Sequence, residues 1–202
     1  MENLNKESLV KFEDEIAACF NSGEVRAPVH LSDGNELQLI EIFKDVNETD
    51  WVFCSWRSHY QCLLKGVPTS RVRAEIIDGR SIALCFPDFR VFSSAIVGGQ
   101  IPLAVGVALS IKRLNKMEHV WCFIGDMTSE TGIAQTAIRY SEKHELPITF
   151  VIEDNGISVL TQTRSVWNSQ LLRYEENDSS VVRSYQYKSK YPHAGAGVRV
   201  QF

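Results

Sequence analysis

Apolar positions along this chain follow two rhythms. Leu9, Val10, Phe12, Ile16, Ala17 and Phe20 recur at near-helical spacing, and Asn21-Ser22-Gly23 ends the run, which predicts a first helix. Leu37, Leu39, Ile40, Ile42 and Phe43 supply the apolar side of a second helix across Asp33–Val46, with Asp33 placed to cap it. Pro68 opens a third helix that reaches Ile77 before Asp78-Gly79 breaks it. Beyond Ala95 the pattern changes. Pro102–Leu114 reads as a helix rich in small residues (Ala104, Gly106, Ala108), His119–Ile124 as a short apolar run, Thr131–His144 as a helix, and Ile148–Ile152 as a second apolar run. Strand, helix, strand is a βαβ unit, and strands that are apolar throughout imply a parallel sheet with helices on both faces. The expected fold class is therefore α/β. The length suits a single domain over 1–202, with 160–202 as a partner-docking or flexible C-terminal segment.

Both apolar runs end in polar residues, Gly125-Asp126 after the first and Glu153-Asp154-Asn155 after the second. In open parallel sheets ligands bind beyond the carboxyl ends of the strands, which puts Asp126 and Asn155 at one edge. Asp126 offers a carboxylate, Asn155 an amide oxygen and Ile157 a backbone carbonyl. Magnesium wants oxygen ligands of this kind and completes its octahedron with water or phosphate oxygens. A helix beginning near Thr128–Thr131 would present free N–H groups to an anion. The plainer alternative is two turns, one a Gly-Asp with a capping aspartate and the other an Asp-Asn-Gly. Spacing alone favours the turns, because such pairs are common.

Composition narrows the function classes. A net charge of −4 gives no reason to expect nucleic acid or an anionic membrane as partner. No apolar run approaches a membrane span, and the first fifteen residues are too polar and acidic for a secretory signal. Five scattered cysteines without a CxxC pair speak against a zinc site or disulfide framework and for reduced thiols in a cytoplasmic protein. Cys122, inside an apolar run, reads as core. A dinucleotide site is a poor fit, since no GxGxxG follows a strand.

The stretch GDMTSETGIAQTAIRYSEKHELPITFVIEDNGISV resembles the thiamine diphosphate motif, with its Gly-Asp-Gly start and Asn-Asn-type end. Three further blocks precede it: His30-Leu31-Ser32-Asp33-Gly34-Asn35-Glu36, Trp56-Arg57-Ser58-His59, and Ile96-Val97-Gly98-Gly99-Gln100-Ile101-Pro102-Leu103. Together and in this order they resemble the α subunit of the decarboxylating component of 2-oxo acid dehydrogenases, the pyruvate and acetoin type.

The resemblance implies thiamine diphosphate and magnesium as cofactors, with Asp126, Asn155 and the Ile157 carbonyl as the metal ligands. It implies Arg57 on the diphosphate, Trp56 as an aromatic contact, and Val97 pressing under the cofactor to keep it bent. Ala95, Gly125, Met127 and Thr128 complete the cofactor-binding set. His30 and His59 would face the reacting end or the phosphates as catalytic residues. The family's pyrimidine-binding domain sits on a β-type subunit, so a heterotetramer acting on a small 2-oxo acid and transferring the acyl group to a lipoyl arm is implied. Two alternatives stand beside it: a non-oxidative carboligase passing the acyl group to an aldehyde or sugar, and a non-catalytic scaffold. The chain departs from the family at Met127, where the motif has its second glycine, and at Arg80–Leu84, where the family is glycine-rich. The family's later His-containing loop is replaced by YKSKYPHAGAGVRVQF, in which His193 stands as a candidate substitute.

Overall fold

The computed structural model describes residues 4–193 and 200–202; residues 194–199 of the 160–202 segment thus lie outside it. The first helix, α1 (Lys6–Asn21), begins with Asn5, whose side chain accepts the Ser8 N–H while Ser8 returns a bond to the Asn5 N–H. Its stripe of Leu9, Phe12, Ile16 and Ala17 is buried, and so is Glu13 on the same face. Helix α2 (Glu36–Phe43) starts after Asn35, not Asp33. Asp33 is no cap because its carboxylate is taken by the far C-terminal segment, accepting from the Ser189 hydroxyl and the Lys190 N–H.

Strand β1 (Trp51–Cys54) follows, then α3 (His59–Leu64) and α4 (Thr69–Ile77), which opens after Pro68. Pro68 suits that place because its fixed φ is ready-made for a helix start and its missing N–H is not needed there. Short strands β2 (Cys85–Phe86) and β3 (Val91–Ser93) lead to α5 (Gln100–Arg113) and β4 (Val120–Gly125). A single turn α6 (Asp126–Ser129) precedes α7 (Gly132–Lys143) and β5 (Ile148–Asp154). A small hairpin of β6 (Ile157–Ser158) and β7 (Thr161–Gln162) is followed by α8 (Thr163–Trp167), α9 (Arg173–Glu176) and β8 (Val182–Gln186).

Six strands form one sheet in the order β2-β3-β1-β4-β5-β8, parallel except for the β2–β3 pair. Along each central strand successive side chains enter opposite cores. Val52, Cys54, Trp121, Phe123 and Val151 pack with α1 to α4, whereas Phe53, Cys122, Ile124, Phe150 and Ile152 pack with α5 and α7. Both faces are dry, which is why these strands carry no polar alternation. Among the described residues no helix is long and apolar enough to cross a membrane.

From β1 the chain moves to β3 on one side, and from β4 it moves to β5 and β8 on the other. The strand order therefore reverses between β1 and β4. Loops leaving the carboxyl ends at such a point diverge and open a crevice.

Candidate functional site

The loops after β1, β4 and β5 line one cleft at this reversal. Ser55, Trp56 and Arg57 come from β1, Gly125 to Thr128 from β4, and Glu153, Asn155 and Ile157 from the end of β5. The structure thus brings together Trp56, Arg57, Gly125, Asp126, Met127, Thr128, Asn155 and Ile157. Register explains why the two halves of the motif meet, since Gly125 pairs with Glu153 across β4 and β5.

Asp126 is 2% exposed, and among the described residues its Oδ2 has no hydrogen-bond partner. Burial, with the Asp154 carboxylate adding to it, pushes its carboxyl up to about 6. A buried, partnerless carboxylate oxygen is costly unless a cation meets it. Asn155 Oδ1 accepts the Ile157 N–H at 3.1 Å, which fixes the amide and leaves the oxygen's second lone pair open. Gly125 has a φ of −75°, which any residue tolerates, and a Cβ there would meet nothing within 4 Å. The room a side chain would fill is left to the cleft. Arg57 donates from Nε to the Leu31 carbonyl at 2.9 Å, which holds the guanidinium by one edge. These features fit a magnesium–diphosphate group: one carboxylate, one amide oxygen, a nearby carbonyl and a guanidinium, with phosphate oxygens left to complete the metal's shell. Among the described residues no cluster of three or more His, Cys, Asp or Glu side chains forms a self-sufficient metal site. Any metal here must share its shell with its anion.

Asp154 takes no part in this set. Its carboxylate accepts from the Arg164 guanidinium at 2.9 Å, the Tyr174 hydroxyl at 2.6 Å and the Gly156 N–H at 2.8 Å, which ties the 156–176 segment to the end of β5.

Other expected residues go elsewhere. His59 is fully buried, with Nδ1 bonded to both Glu13 carboxylate oxygens at 3.0 and 2.9 Å and Nε2 to Ser81 Oγ at 2.9 Å. With both nitrogens occupied it joins α1 to α3 and has nothing to offer a ligand. Its catalytic assignment is corrected to a structural one. Val97, 54% exposed, and Ala95 lie on the surface before α5 and do not line the cleft. Their loop is held on its other side, where Gly98 backs onto Ile133 and Thr128. His30 does not line the cleft either, but packs beside Trp56 at 6.1 Å between ring centroids. The helix expected near Thr128–Thr131 is split: Asp126 already starts the one-turn α6, while Thr131 accepts the Ala134 N–H and caps α7 internally.

Sequence reasoning missed Asn35, Ser55, Glu153 and Tyr187 as cleft residues. Ser55 follows Trp51–Cys54, a run of four apolar residues too short to show a strand period. Glu153 was visible in Glu-Asp-Asn. Asn35 and Tyr187 reach the cleft only through long-range folding. Glu153 Oε1 accepts from Tyr185 Oη at 2.6 Å, Gln61 Nε2 at 3.0 Å and Asn35 Nδ2 at 3.4 Å. Burial pushes its carboxyl from 4.5 up to about 7. The fold therefore favours the protonated acid, whose contribution is complete below pH 4.5 and is lost as pH rises through 7. Glu153→Gln keeps an acceptor but cannot ionise. Its stability relative to the parent should rise by roughly 3 kcal/mol between pH 4.5 and pH 8 in urea unfolding of the metal-free chain. A difference that does not change with pH would contradict this.

A family model described as "Dehydrogenase E1 component" matches residues 5–173. The α subunit of acetoin:2,6-dichlorophenolindophenol oxidoreductase from Bacillus subtilis is 28% identical over 74% of this chain and 48% of its own length. Pyruvate dehydrogenase E1 component subunit alpha-3, chloroplastic, from Oryza sativa subsp. japonica is 30% identical over 75% of this chain and 41% of its own length. Pyruvate dehydrogenase E1 component subunit alpha from Rickettsia typhi is 27% identical over 88% of this chain and 57% of its own length. The chain thus spans about half the length of these relatives. The family match runs through the β1, β4 and β5 loops that build the cleft, and the protein belongs to the dehydrogenase E1 component family.

Proposed function

We propose that the chain is the α-type subunit of a thiamine diphosphate-dependent enzyme that decarboxylates a small 2-oxo acid, and that its cleft holds magnesium and the cofactor's diphosphate. The observation that carries the reading is the buried Oδ2 of Asp126, without a partner among the described residues, in a cleft that also holds Asn155 and Arg57. Asp126, Asn155 and the Ile157 carbonyl would hold the metal, and Arg57 the phosphate oxygens, for which a guanidinium fork is suited. Trp56 supplies an apolar wall beside them. When bound, thiamine diphosphate supplies a carbanion and an electron sink for decarboxylation. The pyruvate dehydrogenase α subunits named above support a 2-oxo acid as substrate, and with it we propose oxidative transfer of the acyl group to a lipoyl group. Five free cysteines, four of them buried, support work in the reducing cytoplasm.

The described sheet accounts for one cofactor-binding domain, whereas proton transfer to the pyrimidine end needs a second. We assign that half to a β-type partner in a heterotetramer. Purified chain mixed with magnesium, thiamine diphosphate and pyruvate should release no carbon dioxide, and adding a β-type subunit should restore release. Efficient turnover by the chain alone would overturn the two-chain reading.

A further inference from the structure

Two tyrosines at the end of β8, two residues apart and so on one side of an extended strand, are used differently. Tyr185 Oη donates to Glu153 Oε1 at 2.6 Å and accepts from Asn35 Nδ2 at 3.0 Å, so its hydroxyl is taken up by the fold. Tyr187 stacks its ring beside that of Tyr185, with centroids 5.8 Å apart. Its side chain lines the cleft, yet its hydroxyl bonds to no described residue. Among the cleft-lining residues it alone comes from beyond β8.

The backbone around Tyr187 is held on both sides. Its N–H donates to the Asp154 carbonyl at 2.9 Å, which keeps it next to the end of β5. The Lys188 carbonyl then passes so close to Gly34 that a Cβ there would stand 2.2 Å from it, and Gly34 also has a φ of +78°. Asp33 clasps the next two residues, accepting from Ser189 Oγ at 2.7 Å and from the Lys190 N–H at 2.6 Å. A ring anchored in this way is in place before a ligand arrives, which lowers the ordering cost of binding.

Burial raises the Tyr187 phenol well above its ordinary range; Arg57 opposes the rise, and Glu153, Asp126 and Asp33 add to it. The hydroxyl is therefore a neutral donor at neutral pH. A phenylalanine would fill the same space beside Tyr185, so packing alone gives the hydroxyl no task. A neutral O–H facing a polar cleft suits an anionic oxygen, and the same cleft offers Arg57 to phosphate.

We propose that Tyr187 is a further ligand of the diphosphate, its hydroxyl donating to a phosphate oxygen. This inference rests on the cofactor site assigned above, and the test separates the two.

Tyr187→Phe keeps the ring and removes only the hydroxyl. In urea unfolding of the ligand-free chain it should be as stable as the parent, and a clear loss of stability would show a hydroxyl engaged within the fold and overturn the proposal. In the complex assembled with its β-type partner, calorimetric titration with magnesium present should give about tenfold weaker affinity for thiamine diphosphate, the worth of one hydrogen bond to a charged oxygen. Inorganic pyrophosphate should lose the same factor, because the contact is to phosphate. Unchanged affinity for both, or a loss confined to thiamine diphosphate, would overturn the phosphate contact and leave the cofactor site standing. A parent complex that binds neither anion would overturn the cofactor site itself, and the role of Tyr187 with it.

Discussion

Asp126→Ala is expected to abolish magnesium-dependent binding of thiamine diphosphate to the assembled enzyme. Among the proposed metal ligands Asp126 alone carries charge, and magnesium gives up its water reluctantly unless an anionic oxygen replaces it. Among the described residues its Oδ2 is buried without a hydrogen-bond partner, which leaves that atom to a metal. Loss of outer-shell partners of a metal site commonly costs 10- to 100-fold in affinity, and loss of this inner ligand should exceed about 100-fold. Asp126→Asn keeps the shape and one oxygen but drops the charge, and should fall between parent and alanine. Asp154→Ala is the informative control. It is equally buried and lies one residue from Asn155, yet its bonds run to Arg164 and Tyr174, so its effect should be smaller. Calorimetric titration with and without magnesium reads all three. Unchanged affinity in Asp126→Ala would return Gly125-Asp126 and Asp154-Asn155-Gly156 to two plain turns.

The second large effect is on folding. Glu13 and His59 are 1% and 0% exposed and bonded at 2.9 Å, and Glu13 also accepts the Ser32 N–H at 3.0 Å. Removing one member of such a pair leaves the other polar group buried without its partner. Glu13→Ala leaves His59 Nδ1 and the Ser32 N–H both without their acceptor. At roughly 1–3 kcal/mol per unsatisfied group it should cost about 2–6 kcal/mol in urea unfolding, a large share of the roughly 5–15 kcal/mol that holds a domain together. Arg71→Ala removes an ion pair to Asp88 in which both side chains are about half exposed, and should change little. A Glu13→Ala chain as stable as the parent would show that α1 is not anchored through His59. The same pair takes His59 away from the cleft. A Trp-Arg-Ser-His block reads as four neighbours at a site, but α3 begins at His59 and turns its side chain into the core towards α1.

Much of the cofactor half of the fold was legible because its signals are local. The β4–α7–β5 unit announces itself by continuous apolar strands with an amphipathic helix between them, and the polar residues that end each strand mark where a ligand can sit. Helices α1, α4 and α5 were found for the same reason: stripe, start and stop all lie within one stretch of chain. Strands as short as β1, β2 and β3 gave no period to read. Without β1 and β3 the reversal of strand order, and therefore the position of the cleft, stayed hidden. Asp33 shows the limit at a single residue. Locally it has the chemistry and place of a cap, but a segment more than 150 residues away offers two donors and claims it.

By itself, the sequence determined the α/β class, the family blocks, and the residue types that suit a metal and a diphosphate, because those depend on neighbours along the chain. Only the tertiary structure decided which of those residues meet. It joined Trp56 and Arg57 to Asp126 and Asn155 across parallel strands, left Ala95 and Val97 on the surface, bonded His59 to Glu13 inside the core, and carried His193 from the far end of the chain onto His30. The physical reason is that strand order and long-range hydrogen bonds set distances between residues that sequence spacing does not encode.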